Sequence, residues 1–146
     1  MCGLTGFNGS KAADPTKLKI IACFNESRGK HSCGIFSGGE TIYGIGQEKL
    51  VTDLLKNKNI PMDKNWRNVM IHTRHSTYGA HTAENAHPIK VEEGDRAMWL
   101  CHNGTLEGLM DMSKTYNRPY VYGELDSRLL AEIIFDNNLD VLSNYY

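Results

Sequence analysis

Short apolar runs between glycine-rich turns fill the first part of the chain, and helical spacing returns at its end. Leu4 and Phe7 stand apolar among small residues, which predicts a strand that starts at the terminus. Asp14-Pro15 reads as a helix start, with Asp as N-cap and Pro in the first helical position. Leu18, Ile21 and Ala22 then fall on one face, and the helix should stop before Arg28-Gly29. Cys33-Gly34-Ile35-Phe36 and Thr41-Ile42-Tyr43-Gly44-Ile45 flank Gly38-Gly39 and predict a hairpin. Lys49 to Lys56 reads as a short amphipathic helix, and Asn57 to Asn65 as a loop. Val69-Met70-Ile71 predicts a buried strand, followed by a polar, turn-rich stretch through Ile89. Ala97 to Cys101 is a further strand. Helices follow around Leu106 to Met112 and from Asp126-Ser127, where Leu129, Leu130, Ile133 and Ile134 share a face. The last residues read as a short polar tail. Strands in hairpins mixed with helices imply an α+β fold.

The composition supports one globular domain. The chain has 146 residues, 40% apolar and 23% charged, with a net charge of -1, so nothing marks a nucleic-acid surface or an anionic membrane as partner. No apolar run is long enough to span a bilayer, and no signal peptide opens the chain. A cytoplasmic location is expected. There Cys2, Cys23, Cys33 and Cys101 should be thiols. No CxxC pair occurs. His72, His75, His81, His87 and His102 match no metal-site spacing, so neither a metal nor another cofactor is expected.

The candidate chemistry starts at Met1-Cys2-Gly3. Removal of Met1 would leave Cys2 with a thiol and a free α-amine, a nucleophile carrying its own base. Such an amine titrates near ~7.7–8.0 and is partly neutral at working pH. Two strands end in polar clusters, His72-Thr73-Arg74 and His102-Asn103-Gly104, and strand ends are where rigid scaffolds build sites. Arg is suited to gripping a carboxylate with two hydrogen bonds. Asn-Gly offers an amide donor and an uncovered backbone N–H, together able to hold an oxyanion. Asp126 can accept from an ammonium. Taken singly, each has a plainer reading: an ion pair for Arg74, a turn for Asn103-Gly104, a helix cap for Asp126.

Together these pieces resemble the class II glutamine amidotransferase domain, an N-terminal-nucleophile hydrolase. The resemblance rests on Met1-Cys2-Gly3, Arg28-Gly29-x-x-Ser32-x-Gly34-Ile35, His72-Thr73-Arg74-x-Ser76-Thr77-x-Gly79, Asn85-Ala86-His87-Pro88, His102-Asn103-Gly104 and Asp126-Ser127, in the family's order. It implies an αββα sandwich of antiparallel sheets over residues 2–146. It implies Cys2 as nucleophile, with Asn103 and the Gly104 N–H as oxyanion hole. Arg74, helped by Thr77, would hold the substrate carboxylate, and Asp126 the ammonium. Arg28 and His87 would support the Cys2 environment and the pocket. The implied reaction is hydrolysis of L-glutamine through a Cys2 thioester, with ammonia passed to a separate synthase; a synthase subunit or a second copy of the chain is the expected partner.

The chain departs from the family pattern in places. His31 stands where the family commonly has Asp, and Arg128 where an acidic residue commonly follows Asp-Ser. The family's domain also runs further past Asp126, so a fold shortened at its C-terminal side is expected. The alternatives are a hydrolase of other γ-glutamyl amides or peptides, and an inactive, truncated binding module.

Overall fold

A computed structural model describes residues 1–46, 51–56, 66–76, 80–121 and 125–144. The predicted loop 57–65, the start of the second helix at Lys49 and Leu50, and Thr77 lie outside the described residues. Four strands form the first sheet: β1 (Gly3–Asn8), β2 (Ser32–Ser37), β3 (Glu40–Ile45) and β4 (Asn68–Arg74). Their order is β1-β4-β2-β3, and every neighbouring pair is antiparallel. Gly38 and Gly39, at φ 62° and 91°, turn the β2–β3 hairpin, as the Gly-Gly pair predicts.

β4 is paired along both edges and covered on both faces, by helices on one side and the segment leading into the second sheet on the other, so its residues sort by parity. Val69 and Ile71, both 1% exposed, join Cys33, Ile35 and Trp66 in a core beneath α1 (Pro15–Glu26) and α2 (Val51–Lys56). Leu18 and Ala22 of α1 close that core. Burying aliphatic side chains of this size is worth about 1.5–3 kcal/mol each. The N-terminus of α1 is held as its sequence predicts, with Asp14 accepting from the N–H groups of Thr16 at 2.9 Å and Lys17 at 3.3 Å. Glu26, at the other end, accepts from the Thr52 hydroxyl at 2.6 Å and from the Thr52 N–H, tying α2 to α1.

The other face of the first sheet meets a second, two-stranded antiparallel sheet, β5 (Ile89–Glu93) and β6 (Arg96–Leu100). Phe36 of β2 packs on Trp99 of β6 with ring centroids 4.7 Å apart, and His72 of β4 stacks on His87 at 4.5 Å. Beyond the second sheet lie α3 (Leu109–Thr115) and α4 (Asp126–Asn137), followed by a 3₁₀ turn at Leu139–Asn144. Met112, Leu129, Leu130, Ile133, Ile134 and Val141 form the core there. Arg96 clips the hairpin to α4 by donating to the Phe135 carbonyl at 2.8 Å. The molecule is thus α+β, with helices outside two facing antiparallel sheets.

Three local readings are corrected. Ile89–Glu93 is a strand, although the stretch before it reads as turn. The end of the chain holds a 3₁₀ turn in place of a plain polar tail. The third helix starts at Leu109, not near Leu106, because Asp126 takes the Leu106 N–H at 3.0 Å and Gly108, at φ 69°, turns the chain into the helix.

Gly34 of β2 lies hard against the segment that leads into the second sheet. A Cβ there would lie 2.1 Å from the His87 carbonyl oxygen, which is backbone and cannot swing away. Gly34→Ala is therefore expected to destabilise the fold by about 1–3 kcal/mol or more, read as a lower urea midpoint with an unchanged denaturant slope.

Candidate active site

The nucleophile candidate is placed by an edge strand. β1 pairs with β4 so that Gly3 faces Thr73 and Leu4 faces His72. The Gly3 N–H donates to the Thr73 hydroxyl at 3.1 Å, and that hydroxyl donates onward to the Asn25 carbonyl at 2.8 Å. A Cβ on Gly3 would fall 2.5 Å from the Thr73 hydroxyl and 2.6 Å from Asn25 Cβ, so only glycine fits between sheet and helix. Asn25 adds bonds from its amide to the Leu4 carbonyl at 3.2 Å and the Thr5 hydroxyl at 2.8 Å. A chain terminus, disordered by default, is in this way fixed from its second residue onward. Gly29 serves the same corner, since a Cβ there would meet the Thr73 and Arg74 backbone at 2.6 Å.

Cys2 sits at the end of this strand, its sulfur 3.3 Å from the His75 N–H that points at it. Its carbonyl accepts from Arg28 Nε at 3.0 Å and from Asn103 Nδ2 at 3.3 Å. Met1 is 80% exposed, open to removal. Cys2, Arg74, His75, His87, His102, Gly104, Leu125, Asp126 and Ser127 line one cavity. Its volume is about 40 Å³, the room of a few waters, so an amino acid enters only as the lining side chains shift. A larger groove of about 810 Å³ runs along β6 and the end of α4; Asp95, Arg96, Asn138 and Asp140 line it beside Met98, Trp99 and Phe135, but among the described residues no cysteine or histidine does.

The predicted residues fall as follows. Arg74 ends β4, is 3% exposed, and donates to the Ala80 carbonyl at 3.2 Å. Burial lowers its pKa, and the neighbouring Cys2 and Asp126 pull the other way; a guanidinium stays cationic under such a shift. Asp126 is the first residue of α4, not its cap; Leu125 holds the cap position. Its carboxylate accepts the Leu106 N–H at 3.0 Å and the Ser127 N–H at 2.7 Å, so it ties the loop that carries Asn103 and Gly104 to α4. Asn103 reaches the Cys2 carbonyl, and Gly104 lines the cavity. Arg28 braces the Cys2 backbone and is not part of the cavity wall. His87 lines the cavity at 3% exposure. The site places of Cys2, Arg28, Arg74, His87, Asn103, Gly104 and Asp126 thus converge on one corner.

Other residues enter that the motif reading passed over. Thr73 is the clasp for Gly3, and Ser127 fixes His102 through a 2.9 Å contact between its hydroxyl and Nδ1. His75 supplies the N–H on the Cys2 sulfur. A signal existed for Thr73, His75 and His102, which flank the predicted residues in sequence, but nothing in the sequence pointed to their partners.

The chain belongs to the class II glutamine amidotransferases. The family's sequence profile, described as glutamine amidotransferases class-II, matches residues 45–145. That span holds Arg74, His87, Asn103, Gly104 and Asp126; Cys2 and Arg28 precede it. Among curated proteins the chain is similar to the glutamine–fructose-6-phosphate aminotransferase (isomerizing) of Methanosarcina acetivorans, 29% identical over 141 residues, covering 92% of this chain and 22% of that one. The proteins of the same name from Aquifex aeolicus and Halobacterium salinarum are 30% and 31% identical, over 94% and 98% of this chain and 23% of each relative. The chain spans less than a quarter of the length of these relatives. No solved structure matches. Among the described residues, no helix is long and apolar enough to cross a membrane.

Burial pushes His72 down to about 4 and His87 down to about 2. Both rings are therefore neutral in the folded chain, while in the unfolded chain they would protonate near pH ~6.5. The unfolded state then binds more protons below that pH, so stability falls as pH drops from about 6.5 toward the folded-state values. Two such groups should cost about 2–3 kcal/mol between pH 7.5 and 5.5, measured as the change in urea unfolding free energy. His87→Phe, which keeps a ring and removes one titration, should shrink that change by about half.

Proposed function

We propose that this chain hydrolyses the side-chain amide of L-glutamine, with Cys2 as nucleophile. The supporting observation is the meeting of Cys2, Arg74, Gly104 and Asp126 around one cavity, with Asn103 reaching the Cys2 carbonyl. After Met1 is removed, the Cys2 α-amine takes the thiol proton, directly or through one water. The sulfur attacks the amide carbon, and negative charge gathers on the former carbonyl oxygen. Asn103 Nδ2 turns from the Cys2 carbonyl toward that oxygen, together with the Gly104 N–H. The C–N bond breaks as the α-amine returns its proton to the leaving nitrogen, giving ammonia and a Cys2 thioester. Water then adds to the thioester, releases glutamate and restores the thiol. Arg74, helped by Thr77, holds the substrate carboxylate by its fork, and Asp126 accepts from the ammonium. Arg28 and His87 keep the Cys2 backbone and the cavity wall in place.

The released ammonia goes to a synthase. The matched relatives' name pairs glutamine with an amination of fructose 6-phosphate, and the glutamine half is the part we assign to this chain. The four cysteines are free thiols, which suits a reducing cytoplasm.

Steady-state glutamine hydrolysis separates the roles. Asn103→Ala should lower kcat by about 10²–10³-fold with little change in KM. Arg74→Lys, which keeps the charge and loses the fork, should raise KM by about 10–100-fold. The reverse split would show that the oxyanion and carboxylate roles are misplaced. Equal turnover of γ-glutamyl dipeptides and glutamine would move the assignment to a general γ-glutamyl hydrolase, and no turnover by chain lacking Met1 would leave a binding module.

A further inference from the structure

The corner that holds the Cys2 sulfur is backed by stacked imidazoles. His31, on the approach to β2, stacks on His75 at a centroid distance of 4.6 Å and on His81 at 4.4 Å. Its Nδ1 accepts the Ser76 N–H at 2.8 Å. A ring nitrogen that accepts a hydrogen bond carries no proton, so this contact requires neutral His31 with its proton on Nε2. The residue next to Ser76 is His75, whose N–H lies on the Cys2 sulfur at 3.3 Å and whose carbonyl lies 3.7 Å from it. His31 is otherwise fixed by backbone, its N–H on the Arg74 carbonyl at 3.0 Å and its carbonyl taking the Gly46 N–H at 3.0 Å. One short path therefore runs from an imidazole nitrogen, through a backbone N–H, to the nucleophile.

We infer that His31 is a positioning residue that makes Cys2 sensitive to acid: neutral, it fastens the His75–Ser76 segment against the Cys2 sulfur, and protonated, it releases that segment. This rests on the reading of Cys2 as nucleophile. Protonating Nδ1 turns the acceptor into a donor facing the Ser76 N–H, so the bond is lost and two donors are left opposed. Among the described residues, the new charge faces cations and groups that can become cations: Arg74 from the end of β4, His75 from the segment after it and His81 from the loop that leads to β5, with the Gly46 backbone following β3. Burial first, then His81, His75 and Arg74, hold the His31 pKa below the ordinary histidine value. The release consequently falls on the acid side of pH ~6.5, and at neutral pH the segment is fastened. The rings stack rather than converge their nitrogens, and among the described residues no group of three His, Cys, Asp or Glu side chains is disposed to hold a metal.

The test is the rate at which 2,2′-dipyridyl disulfide modifies Cys2, followed by peptide mass mapping from pH 7.5 to pH 5 in the full-length chain. Two variants are compared. His31→Asn keeps an acceptor in place of Nδ1 and cannot titrate; His31→Phe keeps a ring for the stack and removes the acceptor. The expected result is a rate ratio of the Asn variant to the natural chain that rises about five- to tenfold as pH falls through the His31 titration. The Phe variant should show reduced Cys2 reactivity across the range and no such rise. The ¹⁵N amide shift of Ser76 should move with the same midpoint. Parallel pH profiles for the natural chain and the Asn variant, or a Ser76 amide that stays still while His31 titrates, would overturn the inference. The labelling needs no glutamine, so a chain that fails to hydrolyse glutamine yet shows the pH-dependent ratio would lose the proposed reaction and keep this device.

Discussion

The clasp of Gly3 between Thr73 and Asn25 is the constraint on which the rest of the site depends. It joins an edge strand, the central strand and the first helix through one hydroxyl. Without it the second residue would be the frayed end of an edge strand, and no downstream arrangement of Arg, Asn and Asp could keep a register with it. The clasp also explains the demand for glycine at the third position, since neither the Thr73 hydroxyl nor the helix backbone leaves space for a Cβ. The nucleophile is thus positioned by main chain, and its own side chain is left for chemistry.

The remaining groups reach the same corner because β4 and the region after β6 bring their polar ends to it. His72 stacked on His87 sits beneath, a buried layer between the sheets. Burial keeps these imidazoles neutral, which limits the fold's tolerance of acid but leaves the cations of the site to Arg74 and Arg28. Asp126 shows how one side chain can serve both structure and recognition. It holds the Leu106 N–H and so sets the loop carrying Asn103 and Gly104, while lining the same cavity as Cys2.

Much of this was legible in the sequence. Asp14-Pro15, the Gly-Gly hairpin, the buried β4 run and the apolar face of α4 each carry a local signal with a mechanism, and each element formed. β5 carries the alternation of a half-buried strand, Ile89 and Val91 inward with exposed polar neighbours, but it is only five residues long and follows directly on a turn-rich stretch, which masked it. The start of α3 was not legible because a side chain twenty residues away, Asp126, decides it. In the site, residue types and order pointed to the chemistry; the partners did not show. Thr73 bonding Asn25, Ser127 bonding His102, and His31 bonding the Ser76 N–H are contacts across 48, 25 and 45 positions that no local pattern encodes.

The central claim is that Cys2 is a nucleophile with a free α-amine in a pocket that reads glutamine. Incubation with a glutamine-mimicking diazo-ketone, followed by intact-mass and peptide mapping, addresses it most directly. The expected product is a chain lacking Met1 with one adduct, on Cys2, suppressed by excess L-glutamine, and none on Cys23, Cys33 or Cys101. A chain with a free Cys2 terminus that takes no adduct there, or takes one on another cysteine at equal rate, would contradict it.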